Sequence, residues 1–393
     1  MKFVVFVGDG MADYPLPELD NHTPLEVANT PNMDFIAKHG RCGIANTIPE
    51  NMPAGSDVAN LSILGYDAIK YYTGRGPLEA ASIGIPLEKD DIAFRCNLIT
   101  EKDGLLIDYS AGHISSEEAR ILIDALNNQL KNCRFYAGIG YRHILVMKQG
   151  EKAICTPPHD VVGESINNIL PKGKDAEILI NIIKASNHIL ENHDINKKRR
   201  KQGKNPANLI WLWGQGKPPS MPNFRKLYGV SGSIISGVNL LKGIGRYAGL
   251  DIIDVPGATG YLDTNFSGKA AYAIESLKER DFVLVHVEAP DEASHMGDID
   301  AKIKAIENFD KKVVEGVLNE IGCYGEHRIL LLPDHPTPIS LRTHTKDAVP
   351  FAIYSSTQSR DYVDRFDEAS AKEGIFKVME AHKLMELLIR FDI

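Results

Sequence analysis

Phe282-Val283-Leu284-Val285-His286-Val287-Glu288-Ala289-Pro290-Asp291 begins as an unbroken, largely apolar run and turns acidic at its end. A strand with one wet face alternates apolar and polar residues; a strand covered on both faces does not. The run is followed by a helical pattern over Ala301–Leu318. Similar runs stand at Phe3–Val7, Leu209–Trp213, Ile252–Val255, Ile329–Leu332 and Phe351–Tyr354, with helical stretches between most of them. That rhythm predicts an α/β fold: a doubly wound, mostly parallel sheet with helices on both faces.

Residues 89–174 read differently, as short strands and loops around one helix near Glu117–Leu130. They predict a smaller α+β domain inserted into a core built from residues 1–88 and 175–393. Ala176–Glu191 is helical in pattern, and the basic run Lys197-Lys198-Arg199-Arg200-Lys201 reads as a solvated loop, with an anion-attracting patch as the alternative. The chain has 393 residues, 43% of them hydrophobic and 24% charged, enough for a large core without staples. A net charge of −8 argues against a general nucleic-acid binder. Five cysteines (Cys42, Cys96, Cys133, Cys155, Cys323) never pair as Cys-x-x-Cys and read as thiols of a reducing compartment. With no leader pattern at the start and no stretch near the ~18 apolar residues of a membrane span, the expected location is cytoplasmic.

Three acidic residues fall at or just after predicted strand ends: Asp9, Asp291 and Asp334. In an open α/β sheet, ligands bind outside the carboxyl ends of the strands. That rule gathers these carboxylates at one edge, and burying three together without cations is costly. Histidines accompany them. His295 follows Asp291 by four residues, so a helix there puts both on one face. His335 follows Asp334 directly, and His344 lies nine residues on. Such mixed N/O donors suit Mn²⁺ or Zn²⁺ more than Ca²⁺. Singly, each of these residues is more often a cap, a turn residue or a hydrogen-bonded histidine.

Ser56 stands in Asn51-Met52-Pro53-Ala54-Gly55-Ser56-Asp57-Val58-Ala59-Asn60-Leu61, just before an apolar-periodic stretch. It reads either as a helix N-cap or as a nucleophile, placed where free N–H groups and the helix dipole stabilise an anion. A cation at its oxygen would lower its pKa without a histidine base. Arg95, Arg142, His143 and His159, in or near the inserted domain, could grip a carboxylate. Lys242 and Arg246 share a face of the amphipathic Val238–Gly249 stretch. A solvated structural role is open for each of these six.

Together these residues resemble the metal-dependent alkaline phosphatase superfamily. More narrowly, the chain is similar to the archaeal-type cofactor-independent phosphoglycerate mutases. The matching segments are Val7-Gly8-Asp9-Gly10, Pro53-Ala54-Gly55-Ser56-Asp57, Gly74-Arg75-Gly76-Pro77, His286 through His295, Pro333-Asp334-His335 and His344 through Pro350. They run in family order across essentially the whole chain. The resemblance implies an alkaline-phosphatase-like core and two divalent cations, Mn²⁺ first, with Zn²⁺ or Mg²⁺ open. It implies no 2,3-bisphosphoglycerate. Asp9, Ser56, Asp334 and His335 would hold one ion, and Asp291, His295 and His344 the other. Ser56 would become a phosphoserine, and Lys242 resembles a lysine near the phosphoryl group. The implied reaction is the glycolytic and gluconeogenic isomerisation of 3-phosphoglycerate and 2-phosphoglycerate. The only partner implied is a small phosphorylated substrate, with no nucleic acid and no membrane. Retaining glycerate requires excluding water, which gives the inserted domain the role of a lid.

Leu212-Trp213-Gly214-Gln215-Gly216-Lys217 and Pro256 through Tyr261 resemble a bacterial branch of the family, some members of which are labelled proposed homoserine kinases. The mutase-like pattern has Arg where Trp213 stands. The alternative is therefore a homoserine kinase, or another small-alcohol phosphotransferase or phosphatase, although no Gly-x-x-x-x-Gly-Lys-Ser/Thr loop is present to cradle ATP phosphates. A metal-stabilised scaffold would have no use for a nucleophile at position 56.

Overall fold

The computed structural model describes residues 1–357 and 360–390, which form two compact units. The first comprises Met1–Tyr72 and Ser220–Ile393, and the second Thr73–Pro219.

The first unit is built on an eight-stranded sheet. Its spatial order is Asp251–Ile253, Gly232–Ile235, Phe282–Val287, Lys2–Gly8, His327–Leu332, Val349–Ser355, Arg41–Asn46 and Val378–Glu380. The first five strands are mutually parallel; Val349–Ser355 runs antiparallel to both of its neighbours. The α/β expectation is therefore met, with one strand reversed. Strand side chains are buried whichever way they point. Val4, Phe6, Val283, Val285, Ile329 and Leu331 pack with apolar residues of the helices Pro31–His39, Phe266–Glu279 and Ile299–Phe309. The opposite-facing Val5, Val7, Leu284, Leu330 and Leu332 are just as fully buried. Double burial explains why these runs do not alternate.

The helical pattern over Ala301–Leu318 forms as Ile299–Phe309, a π-helical turn Asp310–Val314 and Glu315–Ile321. The extra residue of the turn re-aims the side chains. Asp310 accepts from the backbone N–H groups of Asn32 and Met33, tying this helix to the start of Pro31–His39.

The second unit holds an all-antiparallel sheet around the long strand Ile92–Lys102. Here the expectation needs correcting. Leu209–Gly216 pairs with Ala93–Ile99 in this sheet and not in the large one. The helices Ala176–Leu190 and Ser116–Gln129 supply core residues to the same unit. The inserted unit is thus Thr73–Pro219, wider than 89–174 on both sides. An apolar run reports that a strand is covered, not which strand it pairs with.

The basic run is also corrected. It lies on the helix Asp194–Lys201, and Arg199 is buried. Its guanidinium donates to Asn205 O, Ala111 O and the Glu118 carboxylate, at 2.8, 2.6 and 2.5 Å. No helix among the described residues is long and apolar enough to cross a membrane.

Candidate active site

All seven residues expected to ligate metal meet at the carboxyl edge of the parallel strands, within the first unit. Lys2–Gly8 ends into Asp9. Phe282–Val287 ends into the helix Ala289–Met296, which presents Asp291 and His295 one turn apart. His327–Leu332 ends into Asp334 and His335. Asp9, Asp334 and His335 are fully buried.

The separations are those of groups facing common points. His295 Nε2 lies 3.2 Å from Asp291 Oδ2, and His344 Nε2 lies 3.4 Å from Asp291 Oδ1. His295 Nε2 and His344 Nε2 are 3.0 Å apart. His335 Nε2 stands 3.5 Å from Asp9 Oδ1 and 3.6 Å from Asp334 Oδ2. Gly10 makes the approach of the loops possible. Its φ is +61°, and a Cβ there would meet Asp291 Oδ1 at 2.5 Å and Thr337 Oγ1 at 2.7 Å. Its N–H donates to Asp334 Oδ1 at 3.1 Å.

Ser56 opens the helix Ser56–Ile63, whose N-cap is Gly55. The hydroxyl makes no capping bond, so the cap reading is set aside; instead Oγ lies 3.0 Å from His335 Nε2.

The electrostatics are unbalanced. Burial, reinforced by Asp334 and Asp291, holds Asp9 well above the usual carboxylate range. Burial, then Asp291, pushes Glu288 up to about 8. Asp291 is held well below its ordinary value in spite of its own burial, because His295 and His344 bond to it. In return, Asp291 raises His295 to about 9. Both Asp9 oxygens are buried and without a hydrogen-bond partner. Orphaned carboxylate oxygens beside two further carboxylates and three imidazoles fit divalent cations with N/O preference.

Four residues of this neighbourhood escaped the sequence reading. Asn60, one turn after Ser56, donates to Asp334 Oδ2 at 2.8 Å and to Ser56 O at 2.9 Å. Thr337 Oγ1 donates to Asp291 Oδ1 at 2.5 Å. Lys302, fully buried, bonds Asp13 Oδ2 at 2.8 Å, Thr337 O at 3.0 Å and Ala12 O at 3.3 Å, so one ammonium ties the loop after Asp9 to the loop after His335. His286 places Nε2 3.0 Å from Asp9 Oδ2. Helix and strand spacing offered a signal for Asn60 alone; a lysine at mid-helix or a histidine within a strand looks like any other until it is buried.

The expected substrate contacts divide. Lys242 gives its ammonium to Asp254 at 2.6 Å and lies near enough to Lys269 for the two charges to act on each other, and Arg246 on the same helix is exposed. The lysine whose charge faces Glu288 and Asp9 is Lys269, lowered by burial to about 8 and bonded to His286 O at 2.9 Å. In the second unit, Arg95 pairs with Glu79 at 3.1 Å and lies 4.1 Å from the Trp213 ring centre. Arg75 lies 5.9 Å from the same ring, and His159 stands edge-on to it at 5.3 Å. Trp213, where Arg was expected, is thus the platform for two arginines. Arg142 is exposed, 5.8 Å from the Tyr141 ring centre. His143 is buried, and burial lowers it to about 3, so it is neutral and does not grip an anion.

The profile of the 2,3-bisphosphoglycerate-independent phosphoglycerate mutase family matches residues 37–196. A curated relative from Methanosarcina mazei bearing that name is 56% identical, over 99% of this chain and 100% of its own length. A probable mutase of the same name from Geobacter sulfurreducens is 48% identical over 99% and 100%. The cofactor-independent phosphoglycerate mutase structure from Thermoplasma acidophilum is 30% identical with a TM-score of 0.70, covering 99% of each chain. A Pyrococcus horikoshii protein structure is 33% identical with a TM-score of 0.85, covering 98% of this chain and 96% of its own. With these strand-end carboxylates and full-length relatives, the chain belongs to the 2,3-bisphosphoglycerate-independent phosphoglycerate mutase family.

Proposed function

We propose that the chain interconverts 3-phosphoglycerate and 2-phosphoglycerate through a phosphoserine at Ser56, with two divalent cations and without bisphosphoglycerate. The observation that carries the reading is Ser56 Oγ on the first turn of a helix, 3.0 Å from His335, beside the buried Asp9, whose carboxylate oxygens have no hydrogen-bond partner. Asp9, Ser56, Asp334 and His335 would hold one cation, and Asp291, His295 and His344 the other, with Mn²⁺ the first choice. When bound, the cations neutralise charge on the phosphoryl oxygens and on the attacking and leaving oxygens.

The residues of the chain do the rest. Ser56 Oγ takes the phosphoryl group from one glycerate hydroxyl and returns it to the other. The first-turn N–H groups of its helix favour the anion that forms there. Asn60 and Thr337 hold Asp334 and Asp291 in orientation through the bonds described above. On the second unit, Arg75, Arg95 and His159 gather around Trp213, and we assign them to contact with an anion. Arg142 is a further candidate for that contact.

The test is a phosphorus NMR time course. Protein stripped of metal and reloaded with Mn²⁺ is mixed with 3-phosphoglycerate alone. The expected result is a 2-phosphoglycerate signal growing to a fixed ratio without inorganic phosphate. Ser56→Ala should lower the rate on the order of 10⁴-fold or more, since nothing replaces a nucleophile. Release of inorganic phosphate alone would make the protein a phosphatase. An unchanged spectrum would point to a different alcohol.

A further inference from the structure

His286 belongs to none of the ligand sets drawn above, although it is fully buried against Asp9. We propose that His286 is a further protein donor to the cation held by Asp9 and Asp334. This rests on the reading that the cluster holds divalent cations.

His286 Nε2, an Asp9 carboxylate oxygen and an Asp334 carboxylate oxygen lie within 4.8 Å of one another. Nε2 approaches Asp9 Oδ2 to 3.0 Å, yet the two are not aligned for a hydrogen bond, and each is left without a hydrogen-bond partner. Close approach without alignment is the signature of neighbouring ligands that point at a third body. With metal–ligand bonds of about 2.1 Å, adjacent ligand atoms stand roughly 3 Å apart. The imidazole–carboxylate pairs already assigned to cations, at 3.2 to 3.5 Å, show the same spacing.

The other ring nitrogen is supported as a liganding histidine requires. Nδ1 faces Ser236 Oγ at 3.3 Å, and that oxygen also accepts from Val238 N–H at 2.9 Å. A proton on Nδ1 donated to Ser236 leaves the Nε2 lone pair toward the carboxylates. The backbone is fixed as well. His286 is in register with Val7 of the adjoining strand, and its carbonyl accepts from Lys269 Nζ at 2.9 Å. The proposal gives a cation on this side of Asp9 three protein donors, Asp9, Asp334 and His286, while His335 faces the other Asp9 oxygen.

The experiment is proton NMR of the full chain loaded with Co²⁺, whose unpaired electrons shift the N–H signal of each directly liganding imidazole. Four exchangeable, strongly shifted ring N–H signals are expected, from His286, His295, His335 and His344. His286→Ala should remove one, and should weaken one of two Co²⁺ sites on the order of 10- to 100-fold by calorimetry. His286→Gln should not restore it. Three shifted signals in the unsubstituted protein would overturn the proposal while leaving the cation reading intact, and this outcome needs no variant to fold. Full recovery in His286→Gln would also overturn it, because an amide N–H can replace a hydrogen bond to Asp9 but not a ring-nitrogen ligand. Absence of any shifted signal would overturn both readings.

Discussion

The two units each gather charge in a buried place, and they neutralise it in opposite ways. In the first, Asp9, Asp291 and Asp334 make their ion pairs with imidazoles alone, among the described residues. Both Asp9 oxygens stay unpartnered. In the second, Arg95 is almost as deeply buried, but Glu79 pairs with it and the Trp213 ring covers it. One cluster depends on charge from outside the protein. The other carries its countercharge within the chain. A buried charge without a partner costs several kcal/mol, so the first arrangement is favoured where a ligand compensates it.

The largest effect should come from removing that outside charge. Chelation should abolish the mutase reaction and lower the thermal midpoint of the first unit. The two tryptophans, Trp211 and Trp213, both lie in the Leu209–Gly216 strand of the second unit. Their fluorescence therefore reports on that unit alone, while circular dichroism reports on both. Chelation should move the dichroism transition and leave the fluorescence transition in place; coincident shifts would dissolve the contrast. Asp9→Asn should sharpen it by changing sign. The variant should be inactive and bind cations poorly, yet the metal-free variant should be more stable than metal-free wild type by about 1–3 kcal/mol, since an uncompensated carboxylate has gone.

Next in size is the internal pair of the second unit. Arg95→Met strands Glu79 in a half-buried place and should cost about 3–5 kcal/mol by urea unfolding followed through tryptophan fluorescence. Adding Glu79→Gln should recover much of that loss. Failure of the double variant to recover would mean that the guanidinium stabilises by packing on Trp213 more than by charge.

A pH effect of about 3 kcal/mol is expected from Glu368. Burial raises it to about 7, while its carboxylate accepts from Thr23 Oγ1 at 2.7 Å and from Asp13 N at 3.0 Å. A carboxyl raised in the folded state binds a proton that the unfolded chain releases. Its stabilisation is complete below about 4.5 and is lost as pH rises through about 7. Glu368→Gln should flatten the decline between those values in the metal-free protein. An unchanged slope would place the titration elsewhere.

The smallest expected change is Trp213→Phe. It keeps a ring beneath Arg95 but loses the Nε1–H bond to Asn97 Oδ1 at 3.1 Å, a cost of about 1 kcal/mol. Urea unfolding should show a smaller loss than with Arg95→Met; an equal loss would mean that the indole bond matters as much as the ion pair.

The fold was largely legible in the chain because apolar runs without alternation report double burial directly. Phe282–Val287 forms as read, residue for residue. The strand-end acids were legible for a related reason: parallel strands all finish at one edge, so Asp9, Asp291 and Asp334 had to meet there. Local spacing carried His295 to Asp291 and would have carried Asn60 to Ser56. What the tertiary structure decided is pairing and burial. Leu209–Gly216 joined the smaller sheet because its partner is Ala93–Ile99, a choice that no property of its own residues encodes. Lys302, Lys269 and Arg199 are charged residues that a sequence places in water, yet distant backbone carbonyls and carboxylates hold them inside. His286 differs from a routine strand residue only because the neighbouring strand ends in Asp9. Sequence specifies which groups are present and which face of a local element they occupy. Long-range packing fixes which of them lose water together, and the chemistry follows from that loss.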